Sequence, residues 1–395
     1  MLLYSLNRTF AHMALQYRLT TTTIEDLTLE LRPEQMAEQA ETEIRSTYLP
    51  AEWERQSGVQ LTWPHKGTDW APILKEVTEC YIRMALEIAL RERLIIVTPE
   101  PEVVDKLLHE RLPKRALKNI TLHQMPTDDT WARDHGFITL VTNMGCQLLD
   151  FQFNGWGKKF PADEDNRINR RLMETGVLNG QYEDHLDFVL EGGSIESDGK
   201  GTILTTSQCL LAPNRNINSG EWRVESGERN GLEDSLKRYL RAERVLWLDY
   251  GHLAGDDTDG HIDTLARFCP GDTIAYVQCT DESDEHYEEL KKMEEQLQGF
   301  RTIDGRPYRL IPLPMANGEA RNEKLPATYA NFLIINGAVL MPTYGDEERD
   351  ERARRQLQQA FPKHEIVGID SRALIQQHGS IHCSAMQFPQ GVIKV

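Results

Sequence analysis

The chain reads as an α/β protein in which one strand–helix unit repeats around a ring. Three observations predict this. Clusters of reactive side chains recur at a near-constant interval, hairpins follow within about a dozen residues of the first three clusters and of Asn331, and helices alternate with short buried strands between the hairpins. The clusters are Trp131-Ala132-Arg133-Asp134, Glu191-Gly192-Gly193, Asp256 to Asp263, and Gly379-Ser380-Ile381-His382-Cys383. Asp134 to Glu191 is 57 residues, Glu191 to His261 is 70, and His261 to Cys383 is 122, or twice 61. Repeats closed into a ring bring a thiol, an imidazole and several carboxylates to one central point.

In chain order, Trp70 to Arg91 has helical periodicity, with Ile73, Leu74, Val77, Tyr81, Met84, Ile88 and Ala89 on one face. Leu94 to Thr98 is a short apolar strand, and Pro101 opens a helix to Leu112. Phe137 to Phe151 folds back at Asn143-Met144-Gly145, and Ile195 to Thr205 at Asp198-Gly199. A helix over Leu232 to Arg241 leads to the strand Arg244 to Leu248. Leu265 to Val277 folds back at Pro270-Gly271-Asp272, ahead of a charged amphipathic helix from Glu285 to Leu297. Asn331 to Met341 turns at Asn336-Gly337, followed by a helix from Glu347 to Phe361 and the strand Glu365 to Ile369. Asp-Gly and Asn-Gly between apolar strands are strong hairpin signals. Anchors near Trp63, Asp134, Glu191, His261 and Asn331 count five units, with Cys383 closing the ring. Residues 1 to 45, polar and Glu-rich toward their end, read as an N-terminal extension, and 46 to 395 as a single catalytic domain.

Composition narrows the partners. Forty-four basic against 62 acidic side chains leave a net charge of −18, which disfavours nucleic acid and anionic membranes and favours a cationic small molecule. No apolar run approaches the ~20 residues of a membrane span, and no signal peptide is evident, so a cytoplasmic location is expected. The six cysteines lie far apart without a CxxC pair and read as buried free thiols.

Cys383 follows Gly-Ser-Ile-His at the rim of an apolar segment, where a cation from His261 or a ligand would favour its thiolate. His261 and Asp263 form a His-x-Asp pair in a dense acidic loop. That loop does not fit an EF-hand: with Gly260 at position 6, Gly255 falls at 1 and Ala266 at 12. Trp131 offers a ring for a planar cation beside Asp134, and the glycines after Glu191 admit a ligand close to the backbone. His261, Cys383, His382 and the aspartates are acceptable zinc ligands in type, but no structural zinc spacing is present. A cysteine protease has no use for a carboxylate array, since its reacting carbonyl is neutral.

These clusters resemble the agmatine deiminase family, which includes the Porphyromonas-type peptidylarginine deiminases. The segments that carry the resemblance run from Tyr48-Leu49-Pro50-Ala51-Glu52-Trp53-Glu54 to Cys383-Ser384-Ala385-Met386-Gln387. Between them lie Thr62-Trp63-Pro64, Thr130 to Asp134, Leu190 to Ile195, Asn214-Arg215-Asn216 and Gly260 to Asp263. The resemblance implies a pentein, a five-unit α/β propeller with pseudo-fivefold repeats around a central active site. It implies Cys383 as nucleophile, His261 as general acid/base, Asp134 and Asp263 as guanidinium ligands, and Glu191 in support. Trp131, Arg133, Asp256, Asn331 and Gly193 are the expected substrate-binding positions. No metal or organic cofactor is expected; the partner is a small cationic guanidino substrate, and a homodimer is left open. The implied reaction converts agmatine to N-carbamoylputrescine and ammonia. Peptidylarginine or free arginine is the alternative substrate, and a binder without turnover the non-enzymatic reading. One departure bears on substrate: the family's usual Glu-Asp-Thr-Asn-Gly-His is here Asp256-Asp257-Thr258-Asp259-Gly260-His261, so the acid expected to meet a distal amine is a shorter Asp256.

Overall fold

A computed structural model describes residues 47–216, 228–316, 319–320 and 323–394; the expected extension over residues 1–45 lies outside them. Strand β1 (Thr47–Tyr48) leads into β2 (Gln56–Thr62), α1 (Leu74–Ala89), β3 (Arg93–Thr98), α2 (Pro101–Arg111) and β4 (Ile120–Gln124), with β2, β3 and β4 mutually parallel. The next stretch is a hairpin, a helix and a strand: β5 (Ile138–Thr142), β6 (Gly145–Gln152), α3 (Ile168–Thr175) and β7 (Gln181–Val189). The same order recurs in β8 (Ile195–Ser197), β9 (Thr202–Thr206), α4 (Glu228–Leu240) and β10 (Arg244–Leu248). It recurs again in β11 (Ala266–Cys269), β12 (Thr273–Gln278), α5 (Tyr287–Gly299) and β13 (Arg309–Pro314). After a short ribbon, β14 (Glu319–Ala320) and β15 (Glu323–Lys324), it recurs in β16 (Leu333–Ile335), β17 (Ala338–Thr343), α6 (Glu347–Ala360) and β18 (Glu365–Asp370). In each repeat the first two strands are antiparallel and the third is parallel to the second.

The first sheet lacks a hairpin partner of its own. That strand is β19 (Ala385–Pro389), antiparallel to β2, so the sheet runs β19-β2-β3-β4. Among the described residues these strands make five mixed sheets, beside the β14-β15 ribbon.

The elements form where periodicity and turn chemistry place them. Helix α1 buries Val77, Tyr81, Met84 and Ile88 on one face, each contributing about 1.5–3 kcal/mol. The Asn336-Gly337 turn works because Gly337 takes φ +77°, a left-handed value that costs glycine little. Helix α5 starts two residues after the expected Glu285, because the Asp281 and Asp284 carboxylates accept from the Ser283 and His286 N–H and hold the preceding residues in turns. Helix α4 begins earlier than expected, at Glu228. All six cysteines are free and buried. Among the described residues no helix is long and apolar enough to cross a membrane.

Candidate active site

The reactive residues share one position in the repeat, just ahead of each unit's first strand. Asp134 precedes β5, Glu191 precedes β8, His261 and Asp263 precede β11, Asn331 precedes β16, and Cys383 precedes β19. Five chain segments therefore deliver these side chains to one place. Gly193 marks its centre. A methyl group on its Cα would lie 2.7 Å from His261 Nδ1, 2.8 Å from Asp134 Oδ1 and 3.1 Å from Asp263 Oδ2. Only glycine leaves that space open to a ligand, and its N–H donates to Asp134 Oδ1 at 3.0 Å.

Cys383 Sγ sits 3.1 Å from Asn331 Nδ2 and 3.5 Å from Asp263 Oδ2. Asn331 Oδ1 accepts from the His382 and Cys383 N–H, so one amide fixes both the loop and the sulfur. Burial, and after it the Asp263 and Asp134 charges, push the Cys383 thiol well above its ordinary range. Asp134 accepts from Trp156 Nε1 at 3.0 Å, and burial lifts its carboxyl to about 6 against the pull of His261. Burial also opposes ionisation of Asp263, but the hydrogen bond from His382, with the His261 and Arg267 charges, holds it below its ordinary value. Two neighbouring carboxylates are thus driven in opposite directions. Burial disfavours charge on His261, but Asp134, the Cys209 thiol and Asp263 outweigh it and the imidazole titrates well above its ordinary range. Its Nδ1 is 3.8 Å from Asp134 Oδ1, and neither ring nitrogen has a hydrogen-bond partner among the described residues.

Glu191 is fully buried and pairs through one oxygen with Arg215 Nε at 2.8 Å, while its other oxygen has no partner among the described residues. Arg215 continues to Asp259 at 2.6 Å and the Thr258 carbonyl at 3.0 Å, pinning the acidic loop against Glu191.

Beside the sulfur lies a cavity of about 260 Å³, lined by Asp69, Asp129, Trp131, Asp134, Trp156 and Asp257 among others, with no Lys or Arg among the described residues of its wall. Of the expected substrate-binding positions Trp131 is in this wall, and Arg133, Gly193, Asp256 and Asn331 are not. Asp256 does not line the cavity: its two oxygens accept from the Thr258 N–H and hydroxyl and from the Gly260 N–H, so it closes its own loop, and the adjacent Asp257 faces the cavity instead. Arg133 also stays out of the cavity wall. Its guanidinium is directed to Glu52 and Gln387, and its backbone N–H to the Cys383 carbonyl.

The sequence reading did not single out Glu52, Arg267, Trp156, Asp69 or Asp129, and took His382 only as a conceivable metal ligand. Glu52 bonds Arg133, Arg267, Gln387 and His382, the last of these 330 residues away in the chain. Only its place within Tyr48 to Glu54 hinted at it. Two clusters, Glu191-Cys209-His261 and Glu52-Glu196-His382, combine donor types that metals take, but arginine already pairs with acids of both: Arg215 in the first, Arg267 in the second.

The comparisons agree with the geometry. Residues 48–389 match the family model of the Porphyromonas-type peptidyl-arginine deiminases. A solved structure described as the "Putative Arginine Deiminase from Porphyromonas gingivalis" superimposes with a TM-score of 0.81 at 50% identity, covering 88% of this chain and all of that one. The agmatine deiminase of C. jejuni, solved as a Cys-to-Ser variant with substrate bound, gives 0.78 at 36% identity over 87% of this chain and 97% of its own. A curated "Putative agmatine deiminase" from Marinomonas sp. is 32% identical over 87% of this chain and 94% of its own length. A matched model spanning nearly all described residues, and relatives that share their full length with it, place the chain in the Porphyromonas-type peptidyl-arginine deiminase family, a family of hydrolases acting on guanidino C–N bonds.

Proposed function

We propose that the site deiminates agmatine through a covalent intermediate on Cys383. The observation that carries this is the convergence of Asp134, His261 and Asp263 within about 3 Å of one point over Gly193, with Cys383 in contact with Asp263. A guanidinium is planar, always charged and rich in donors, so two carboxylates can grip it and hold its carbon near the sulfur. Its charge also offsets the two acids that keep the thiol protonated, so substrate binding itself favours the thiolate.

The sulfur, its proton released to water, adds to the central carbon. His261, an imidazolium at the outset, protonates the departing ammonia and leaves a thiouronium ester. A water then adds to that carbon, giving one proton to His261, and as the C–S bond breaks the remaining hydroxyl proton passes to the departing sulfur, which restores the thiol and releases the ureido product. Substrate choice rests on the cavity wall. Asp69, Asp129 and Asp257 suit a second cation, and among the described residues of the wall no Lys or Arg stands ready for the carboxylate of free arginine. The five sheets, each with its functional residue ahead of the first strand, support a five-unit propeller around the site.

The test is ammonia release from agmatine, free arginine and a blocked arginine peptide, with mass spectrometry of the trapped adduct. Agmatine should turn over best, Cys383→Ala should release none, and the adduct should map to Cys383. Turnover by Cys383→Ala, or a preference for free arginine, would contradict the proposal.

A further inference from the structure

His382 lies beside the nucleophile with its ring fully buried between two carboxylates. Nδ1 is 2.8 Å from Asp263 Oδ2, and Nε2 is 2.8 Å from Glu52 Oε1 and 2.9 Å from Arg267 Nη2. A guanidinium can only donate, so Arg267 holds Nε2 as the acceptor and leaves the proton on Nδ1. Glu52, next to the same nitrogen, is itself bound to Arg267 and Arg133, at 2.7 and 3.0 Å, so its charge is largely answered without a second ring proton. Burial, then Arg133 and Arg267, drive the imidazole below its ordinary range against Glu52 and Asp263, which keeps it neutral. The backbone of His382 is fixed as well, since its N–H donates to Asn331.

Asp263 Oδ2, the oxygen that His382 holds, is also the one 3.5 Å from the sulfur, while Oδ1 has no partner among the described residues. We propose that His382 is a positioning residue: its Nδ1–H sets the rotation of the Asp263 carboxylate and so holds Oδ2 against Cys383 and beside the point over Gly193 where the substrate head group is proposed to sit. Arg267, donating to Nε2, holds the ring in the tautomer that does this. The proposal rests on the functional reading above for its kinetic consequences, but not for the tautomer.

Two measurements test it on the full-length protein. Nitrogen NMR of a sample labelled in histidine should show His382 protonated on Nδ1 and not on Nε2; the reverse tautomer, or an imidazolium at neutral pH, would overturn the assignment without any variant. Among variants, the Asn amide reaches the place of Nδ1 and the Gln amide the place of Nε2. His382→Asn should keep kcat on agmatine within about tenfold of wild type, and His382→Gln should lose about 10²-fold, as expected when a group near the chemistry is misplaced. Equal losses in the two variants, or better activity in His382→Gln, would refute the role. If the wild-type protein released no ammonia from any guanidine while its spectrum showed Nδ1–H, the functional reading would fail and the tautomer assignment would stand.

Discussion

Asp134 has no cation within hydrogen-bonding distance among the described residues, and burial with neighbouring acids lifts its carboxyl to about 6. Its value near 4 in the unfolded chain is lower than in the folded protein, so the folded form binds more protons between the two. Stability therefore declines as pH rises from about 4 to 6, and above that range the folded protein bears the whole penalty. Asp134→Asn should raise stability at pH 7 by about 1–3 kcal/mol in urea titrations, since one pKa unit is about 1.4 kcal/mol. The same variant should lower kcat/KM by about 1.5–3 kcal/mol in transition-state terms, the scale of a charged hydrogen bond. In the wild type, protonation of this acid should make kcat/KM fall on the acid side of about pH 6. Gly193→Ala places a methyl where the substrate head group is proposed to sit and should cut kcat/KM by about 10²-fold or more. At this scale the sequence was partly legible. Cys383, His261, Asp134 and Asp263 stood out as reactive types at regular intervals. Asp256 and Asp257 did not separate, because which of two adjacent acids faces outward depends on the loop's left-handed turns at Gly255, Asp259 and Gly260.

Helices and hairpins were the most legible level, since their signals are local. Helix α6 shows why: just ahead of its expected start at Glu347, Asp346 accepts from the Arg349 N–H at 3.1 Å, and such a cap needs only neighbouring residues. Asp346→Ala should cost about 1 kcal/mol of stability and leave agmatine turnover unchanged, as followed by thermal melting beside the ammonia assay. Pairings between distant elements were not legible. Nothing local in Tyr48 to Glu54 says that Glu52 will end beside His382, or that β19 will pair with β2. Both follow from how the sheets come together, and both join residues hundreds of positions apart.

For the molecule as a whole, the excess of acids is the property with a kinetic consequence. A net charge of −18 and an acid-lined cavity draw a cationic substrate inward. The Debye length shrinks to about 10 Å at 0.1 M salt, so KM for agmatine should rise with ionic strength while kcat holds steady. A KM indifferent to salt would confine the attraction to direct contacts.

The strand that completes the first sheet is the one that carries the reactive sulfur into place, and it is translated after every other unit. Until that strand is made, β2 has one unpaired edge, and the acids and imidazole of the site lack Cys383, the proposed nucleophile. Pairing of β19 with β2 then supplies both the missing border and that sulfur.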